Sequence, residues 1–302
     1  LHTVIEIGLE MKIEKCLTAL VTPFTKGGDS VDEQAFQAHV DWQVNSGVHG
    51  LVPCGTTGES ATLTDSEHQR VITLCIDAAE GRVPVVAGAG SNETVVSVKY
   101  AQHAKDLGAD AALVVTPYYN KPNQEGLFRH FEAINAVGIP IIVYNIPGRS
   151  VVDIDVPTMA RISQLENVIG VKDATGEVGR VQGYLDNCAA PFVQLSGDDE
   201  TVLGYMAHGG HGVISVGSNV APKGYAGLVD ALADADLHKA QAINTTLQGL
   251  HKSLFFDPNP APTKYALSLL GRMNPDVRLP MVECSDDVKM HVRKSMERAG
   301  VI

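Results

Sequence analysis

Lys172 ends the apolar run Val168-Ile169-Gly170-Val171 and precedes Asp173. A lysine there has its stem held by the strand while its amine faces the strand's end. An amine attacks a carbonyl only when unprotonated. Bringing one from about 10.4 to about 7 costs about 4–5 kcal/mol, which burial and a neighbouring positive charge can supply. Lys172 is thus placed for Schiff-base chemistry. On position alone, a structural ion pair with Asp173 or another acid is an equal reading. The other lysines fall in helix-like or loop stretches.

Other reactive groups follow other apolar runs. Gly55-Thr56-Thr57-Gly58-Glu59-Ser60 offers backbone N–H groups and hydroxyls just before a helix, which suits a carboxylate or phosphate. No Lys follows Gly58, so it is not a Walker loop, and the same residues also make an ordinary tight turn. Tyr119 and Tyr144 can donate or relay protons or simply pack. Arg149, in a Gly-Arg-Ser turn, can clamp a carboxylate with two hydrogen bonds or lie solvated. Asp198-Asp199 could bind Mg²⁺. With only Glu200 beside them, capping of the next helix is the better reading. Gly217-Ser218-Asn219 falls where many barrels hold phosphate, which the lysine chemistry does not need. His208 and His211 flank Gly209-Gly210; this reads as a glycine turn, because a metal site needs further ligands.

The elements that must position these groups are legible as a series. Apolar runs begin near Leu17, Gly50, Val83, Ala111, Ile141, Ile169, Val193 and Gly212. They are continuous rather than alternating, as strands buried on both faces are. Amphipathic stretches separate them. Thr64 and Glu67 form a capping-box pattern before a helix reaching Ala79. Asn92-Glu93-Thr94 opens a helix that stops at Leu107-Gly108, and Gln124–Val137 stops at Gly138. Eight strand–helix units predict a (β/α)8 TIM barrel. No G-x-G-x-x-G follows the first strand, which disfavours a doubly wound sheet. The expected organisation is a leader or extended start over 1–10, a barrel over 11–234 with its last helix over Pro222–Asp234, and a C-terminal extension over 235–302. Three helices are expected there: His238–Leu254, Pro262–Leu270 and Cys284–Arg298. In such a barrel the active site lies at the C-terminal ends of the strands, where all of these groups fall.

Composition narrows the partners. The 302 residues are 44% hydrophobic and 19% charged, with a net charge of −12. An acidic chain of this kind is not built for polyanions, so neither nucleic acid nor an anionic membrane surface is expected. No apolar run approaches the ~18–20 residues of a membrane span, and Leu1–Glu10 lacks the basic start of a signal peptide. The five cysteines are odd in number and include no C-x-x-C, as expected of reduced thiols in the cytoplasm.

Together, Gly55-Thr56-Thr57-Gly58-Glu59, Thr116-Pro117-Tyr118-Tyr119, Tyr144-Asn145-Ile146-Pro147-Gly148-Arg149 and Gly170-Val171-Lys172-Asp173 resemble the pyruvate-dependent class I aldolase family. The likeness runs from about Met11 to the C-terminus. It takes in Ser196-Gly197-Asp198-Asp199, the stretch from Gly209 to Ser215, and Pro258-Asn259-Pro260. The resemblance implies that Lys172 forms an imine with pyruvate and that Thr57 holds the pyruvate carboxylate. It implies that Tyr144 relays protons, linked through Thr56 to Tyr119 of a neighbouring subunit. Arg149 would hold the carboxylate of the second substrate, and backbone carbonyls near Gly197 and Ile214 would complete the site. Tyr118-Tyr119 with Gly148-Arg149 favours L-aspartate 4-semialdehyde as that substrate, giving 4-hydroxy-tetrahydrodipicolinate for diaminopimelate and lysine synthesis. N-acetylneuraminate lyase and 2-keto-3-deoxy-sugar-acid aldolases are the alternatives inside the family. No metal or organic cofactor is implied, and a homotetramer built as a dimer of dimers is. Ser60, Ala61, His68, Asn92 and Tyr118 match the family's lysine feedback site. Asp65 and Val96 depart from it, standing where lysine-sensitive members often carry His and Glu, so weak or absent inhibition by lysine is expected.

Overall fold

Continuous apolar runs become central strands because a parallel sheet wrapped by helices leaves neither face to water. The computed structural model describes residues 12–302; the expected leader over 1–10 lies outside them. Eight strands follow the predicted order: β1 Lys15–Ala19, β2 Gly50–Val52, β3 Val86–Gly88, β4 Ala111–Val115, β5 Ile141–Asn145, β6 Val168–Asp173, β7 Val193–Ser196 and β8 Gly212–Ser215. All pair in parallel, β2-β1-β8-β7-β6-β5-β4-β3. A bridge between Leu51 and Val85 joins β2 to β3 and closes the ring.

Inside the ring, Leu17, Val52, Val86, Leu113, Ile142, Leu195 and Ile214 form one apolar cluster. A second lies between the strands and the helices. The third joins β1 and β8 to the C-terminal region. Some helix ends have a visible local cause. Thr64 and Glu67 make the reciprocal capping box ahead of Asp65–Ala79, and Gly108 ends Thr94–Leu107 at φ +86°, a conformation that glycine adopts without a Cβ penalty. The helix after β4 spans Gln124–Asn135 and stops short of the expected Val137, because Val137 and Gly138 turn back onto the carbonyls of Ile134 and Asn135. After Pro222–Ala233 come the three C-terminal helices, Leu237–Ser253, Ala261–Leu269 and Asp286–Arg298.

One irregularity matters for the site. The pairing of β5 with β6 runs Ile141 to Val168 and then Ile142 to Gly170, so Ile169 is an extra residue. Val168 and Val171 both pack outward, three positions apart, while Ile169 packs inward. A strict two-residue alternation would turn position 172 outward with 168. The extra residue reverses that parity and turns Lys172 into the barrel. Gly170 suits this place: a Cβ there would meet the Val193 carbonyl oxygen at 2.2 Å.

Candidate active site

Lys172 and Tyr144 are directly paired across β6 and β5. The Lys172 Nζ lies 4.2 Å from the centre of the Tyr144 ring. The lysine is 5% exposed. Burial lowers its pKa to about 7; Asp199 pulls the other way and Arg149 adds to the fall. Among the described residues no carboxylate stands within ion-pair distance of Nζ. The alternative pair with Asp173 is not made. Asp173 receives hydrogen bonds from the Thr175 N–H and hydroxyl and from the Tyr184 hydroxyl, so its carboxylate is spent on the outer side of the strand. An unpaired buried amine near neutrality is a nucleophile. Burial pushes the Tyr144 phenol up to about 12, against Arg149 and a hydrogen bond with Thr56. The phenol therefore stays protonated and can donate.

The Gly55–Ser60 loop is a narrower cradle than its sequence promises. The N–H groups of Gly58, Glu59 and Ser60 bond to the loop's own carbonyls of Gly55 and Thr56. Those of Thr56 and Thr57 take no part in these turn bonds. Thr57 is buried, and its Oγ1 accepts a hydrogen bond from Asn259 Nδ2 at 2.9 Å.

Arg149 is exposed on the short turn Pro147–Ser150. Its charge lowers the pKa of both Tyr144 and Lys172. The turn is held by Ser150, whose hydroxyl lies within hydrogen-bond reach of the Ile146 and Val152 carbonyls, at 2.9 and 2.8 Å. Beyond it, Asn145 and Arg180 grip Asp153. Tyr119 is set apart from this group. It is 88% exposed and has φ +76°, a conformation that bulky residues rarely adopt. Gly197 follows β7 and Ile214 lies in β8, with its side chain inside the barrel.

Asp199 corrects an expectation. It does not cap the following helix, Val202–Ala207, which has no side-chain cap. Its Oδ2 instead accepts the N–H groups of Val216 and Gly217 at 3.0 and 2.8 Å. A carboxylate thus occupies the donors that a phosphate at Gly217-Ser218-Asn219 would need. His208 bonds to its own helix, and His211 Nδ1 accepts the Gln194 N–H. Among the described residues no group of three or more His, Cys, Asp or Glu is arranged around a metal, and no helix is long and apolar enough to cross a membrane.

The five feedback-site candidates lie along the segment from Ser60 through the helix Asp65–Ala79 and the loops after β3 and β4. His68 is buried, bonds to the Gly88 carbonyl and stacks on Tyr100 at 4.4 Å. Asp65 is already engaged by Lys99 and the Tyr100 hydroxyl. A cavity of about 320 Å³, lined by Lys12, Lys15, His49 and Arg82 among others, lies at the opposite, N-terminal face and contains none of the site residues. Two residues escaped the sequence reading. Asn259 was visible only as part of a Pro-Asn-Pro motif without a role, and nothing local pairs Lys264 with Glu59 at 2.5 Å.

The sequence model of the Dihydrodipicolinate synthetase family matches residues 12–299. The chain is 56% identical over 292 residues to a 4-hydroxy-tetrahydrodipicolinate synthase of Methylobacterium radiotolerans, covering 96% of this chain and 97% of that one. It is 55% identical to the enzyme of the same name from Afipia carboxidovorans, covering 96% and 98%. Among solved structures, the dihydrodipicolinate synthase of Acinetobacter baumannii complexed with pyruvate is 40% identical, with a TM-score of 0.94 and 96% and 100% of the two chains covered.

Proposed function

The chain belongs to the dihydrodipicolinate synthetase family, and on that premise we propose how its residues carry out the condensation of pyruvate with L-aspartate 4-semialdehyde. The enzyme is a lyase of the diaminopimelate route to lysine. The observation that carries the assignment of roles is Lys172: an amine turned into the barrel, buried, lacking a carboxylate partner and near neutrality.

Its Nζ adds to the keto carbon of pyruvate, and loss of water gives the imine. The imine withdraws electrons from the adjacent methyl group, which surrenders a proton to become an enamine. Tyr144, protonated and paired beside Lys172, passes protons through the Thr56 hydroxyl. The enamine carbon attacks the aldehyde of the second substrate. The amine of that substrate then attacks the imine carbon and expels Lys172, closing the ring. Thr57 and its backbone hold the carboxylate of pyruvate, and Arg149 that of the semialdehyde. Carbonyls near Gly197 and Ile214 complete the pocket. The amine itself activates the ketone, so this route calls for no metal or organic cofactor.

Tyr119 completes the relay from a neighbouring copy of the chain. Its exposure and its positive φ support this reading, since a bulky side chain held outward on a strained backbone points to a function beyond its own fold. The working form is then a homotetramer built from such dimers, in the cytoplasm. Borohydride reduction in the presence of pyruvate, followed by peptide mass mapping, tests the mechanism. A reduced pyruvyl adduct on Lys172 is expected, and a folded enzyme that turns over without one would refute it.

Lysine acts weakly at the Ser60, Ala61, His68, Asn92 and Tyr118 site, or not at all. Asp65 is already neutralised by Lys99, and Val96 supplies no carboxylate for an ammonium. Half-inhibition below about 1 mM lysine, a binding free energy near −4 kcal/mol, would overturn this.

A further inference from the structure

We infer that Asn259 is a positioning residue that aims the Thr57 hydroxyl at the carboxylate of the keto acid, so that the C-terminal region sets affinity for the first substrate. The inference rests on the reading of Lys172 and Thr57 given above. A hydroxyl has one proton to donate. The Thr57 Oγ1 accepts from Asn259 Nδ2 at 2.9 Å, so its own hydrogen is left for another acceptor. Asn259 is itself only 4% exposed, and its Oδ1 accepts the Thr263 hydroxyl at 3.1 Å. Its amide oxygen is thereby turned to the helix Ala261–Leu269 and its nitrogen to Thr57.

The next two residues of the loop are held as well, Gly58 from the loop after β1 and Glu59 from the C-terminal region. The Gly58 carbonyl accepts the Thr22 hydroxyl at 2.8 Å. Glu59, at φ +54°, meets Lys264 Nζ at 2.5 Å and accepts the Arg278 N–H at 3.0 Å. Lys264 donates onward to the Asp276 carbonyl, and both cations lie over the Phe24 ring, at 4.0 and 4.3 Å. Burying such a pair is a weak source of stability, because desolvation offsets most of the attraction. Its consequence here is geometric: it holds Glu59, and therefore Thr57 two residues earlier, at a set distance from β6. A donor preorganised for an anion does not have to be ordered when the anion arrives.

The contact to the carboxylate persists from bound substrate to transition state, so its loss should raise KM and leave kcat nearly alone. The test uses the full chain and pyruvate. Half-saturation of borohydride trapping on Lys172, KM for pyruvate, kcat and Tm are measured for Asn259→Ala, Asn259→Asp, Thr57→Val and the double variant Thr57→Val with Asn259→Ala. Asn259→Ala should raise half-saturation and KM for pyruvate about tenfold, with kcat within about twofold, KM for the semialdehyde unchanged and full trapping at saturation. Asn259→Asp keeps the shape but can only accept; it should do more damage, because it takes the Thr57 proton and adds a negative charge. It also carries the test should Asn259→Ala fail to fold. In the Thr57→Val background the Asn259→Ala effect should vanish, which a merely structural role would not produce. Unchanged half-saturation in Asn259→Asp, or a penalty that persists in full without the Thr57 hydroxyl, would overturn the inference. Absence of any adduct in the parent enzyme would instead count against the lysine mechanism itself.

Discussion

Two buried lysines, one in the barrel mouth and one at the seam with the C-terminal helices, lead to opposite chemistry. Lys172 is 5% exposed and faces an aromatic ring with no carboxylate in contact. Lys264 is fully buried and also lies over an aromatic ring, but Glu59 stands 2.5 Å from its Nζ. Burial lowers both pKa values, to about 7 and about 8. In the seam, Glu59 and the Asp276 carbonyl hold the proton in place, and the result is a structural cation. In the mouth, Asp199 acts only from a distance and Arg149 opposes it, and the result is an amine that can lose its proton near neutrality. Burial alone does not make a nucleophile; burial without a partner does.

The largest expected effect separates the two at once. Lys172→Met should abolish the pyruvate adduct and lower turnover by at least about 10³-fold, in the range that loss of a covalent catalyst costs. Its thermal unfolding midpoint should hold or rise, since no ion pair is broken. Lys264→Met should do the reverse. It strands Glu59 in the interior, which costs about 3–5 kcal/mol, read by urea unfolding, while the adduct on Lys172 still forms in the folded fraction. Adding Glu59→Gln to Lys264→Met should recover much of that loss. If Lys172→Met proved as destabilising as Lys264→Met, the contrast would fail.

pH sharpens it further. The trapping rate with pyruvate should rise as pH passes about 7 and then level off, because the unprotonated amine is the reactant. Folding stability should follow the same group. Between about pH 7 and the unfolded value of 10.5 the unfolded chain holds a proton on Lys172 that the native state has released, so unfolding becomes harder as pH rises through this window. From pH 7 to 9 this amounts to about 2 kcal/mol. It should be missing in Lys172→Met, and an unaltered slope in that variant would contradict it. The smallest effect belongs to a third lysine. Lys99 pairs with Asp65 at the surface, where solvent screens the attraction. Lys99→Ala should leave the urea midpoint where it is in the parent enzyme.

Much of this was legible beforehand, for identifiable reasons. Eight continuous apolar runs imply eight doubly covered strands, and eight parallel strands close into a barrel. Thr64 with Glu67 and Leu107 with Gly108 marked helix ends, because caps are made by neighbours in the chain. Residues after each strand marked the rim. The misreadings share one cause. Asp199 looked like a helix cap because its local sequence permits one, yet its carboxylate reaches the amides after β8. The amides of Gly58, Glu59 and Ser60 looked available, yet the loop's own fold consumes them.

The sequence by itself therefore determined the barrel, the rim where the candidate groups gather and a candidate for the nucleophile, since these follow from period, count and residue type within short windows. The tertiary structure alone decided that Lys172 faces inward. That depends on Ile169 being an extra residue against β5, and register is a relation between two strands, absent from either one. It likewise decided which buried lysine is free. Glu59 and Lys264 are 205 positions apart, as Thr57 and Asn259 are 202 apart, and only the closure of the barrel brings the C-terminal helices against the loop after β2. A pKa is set by what surrounds a group in space, so the type of a residue could name the candidate amine but not which one would be left without its counter-charge.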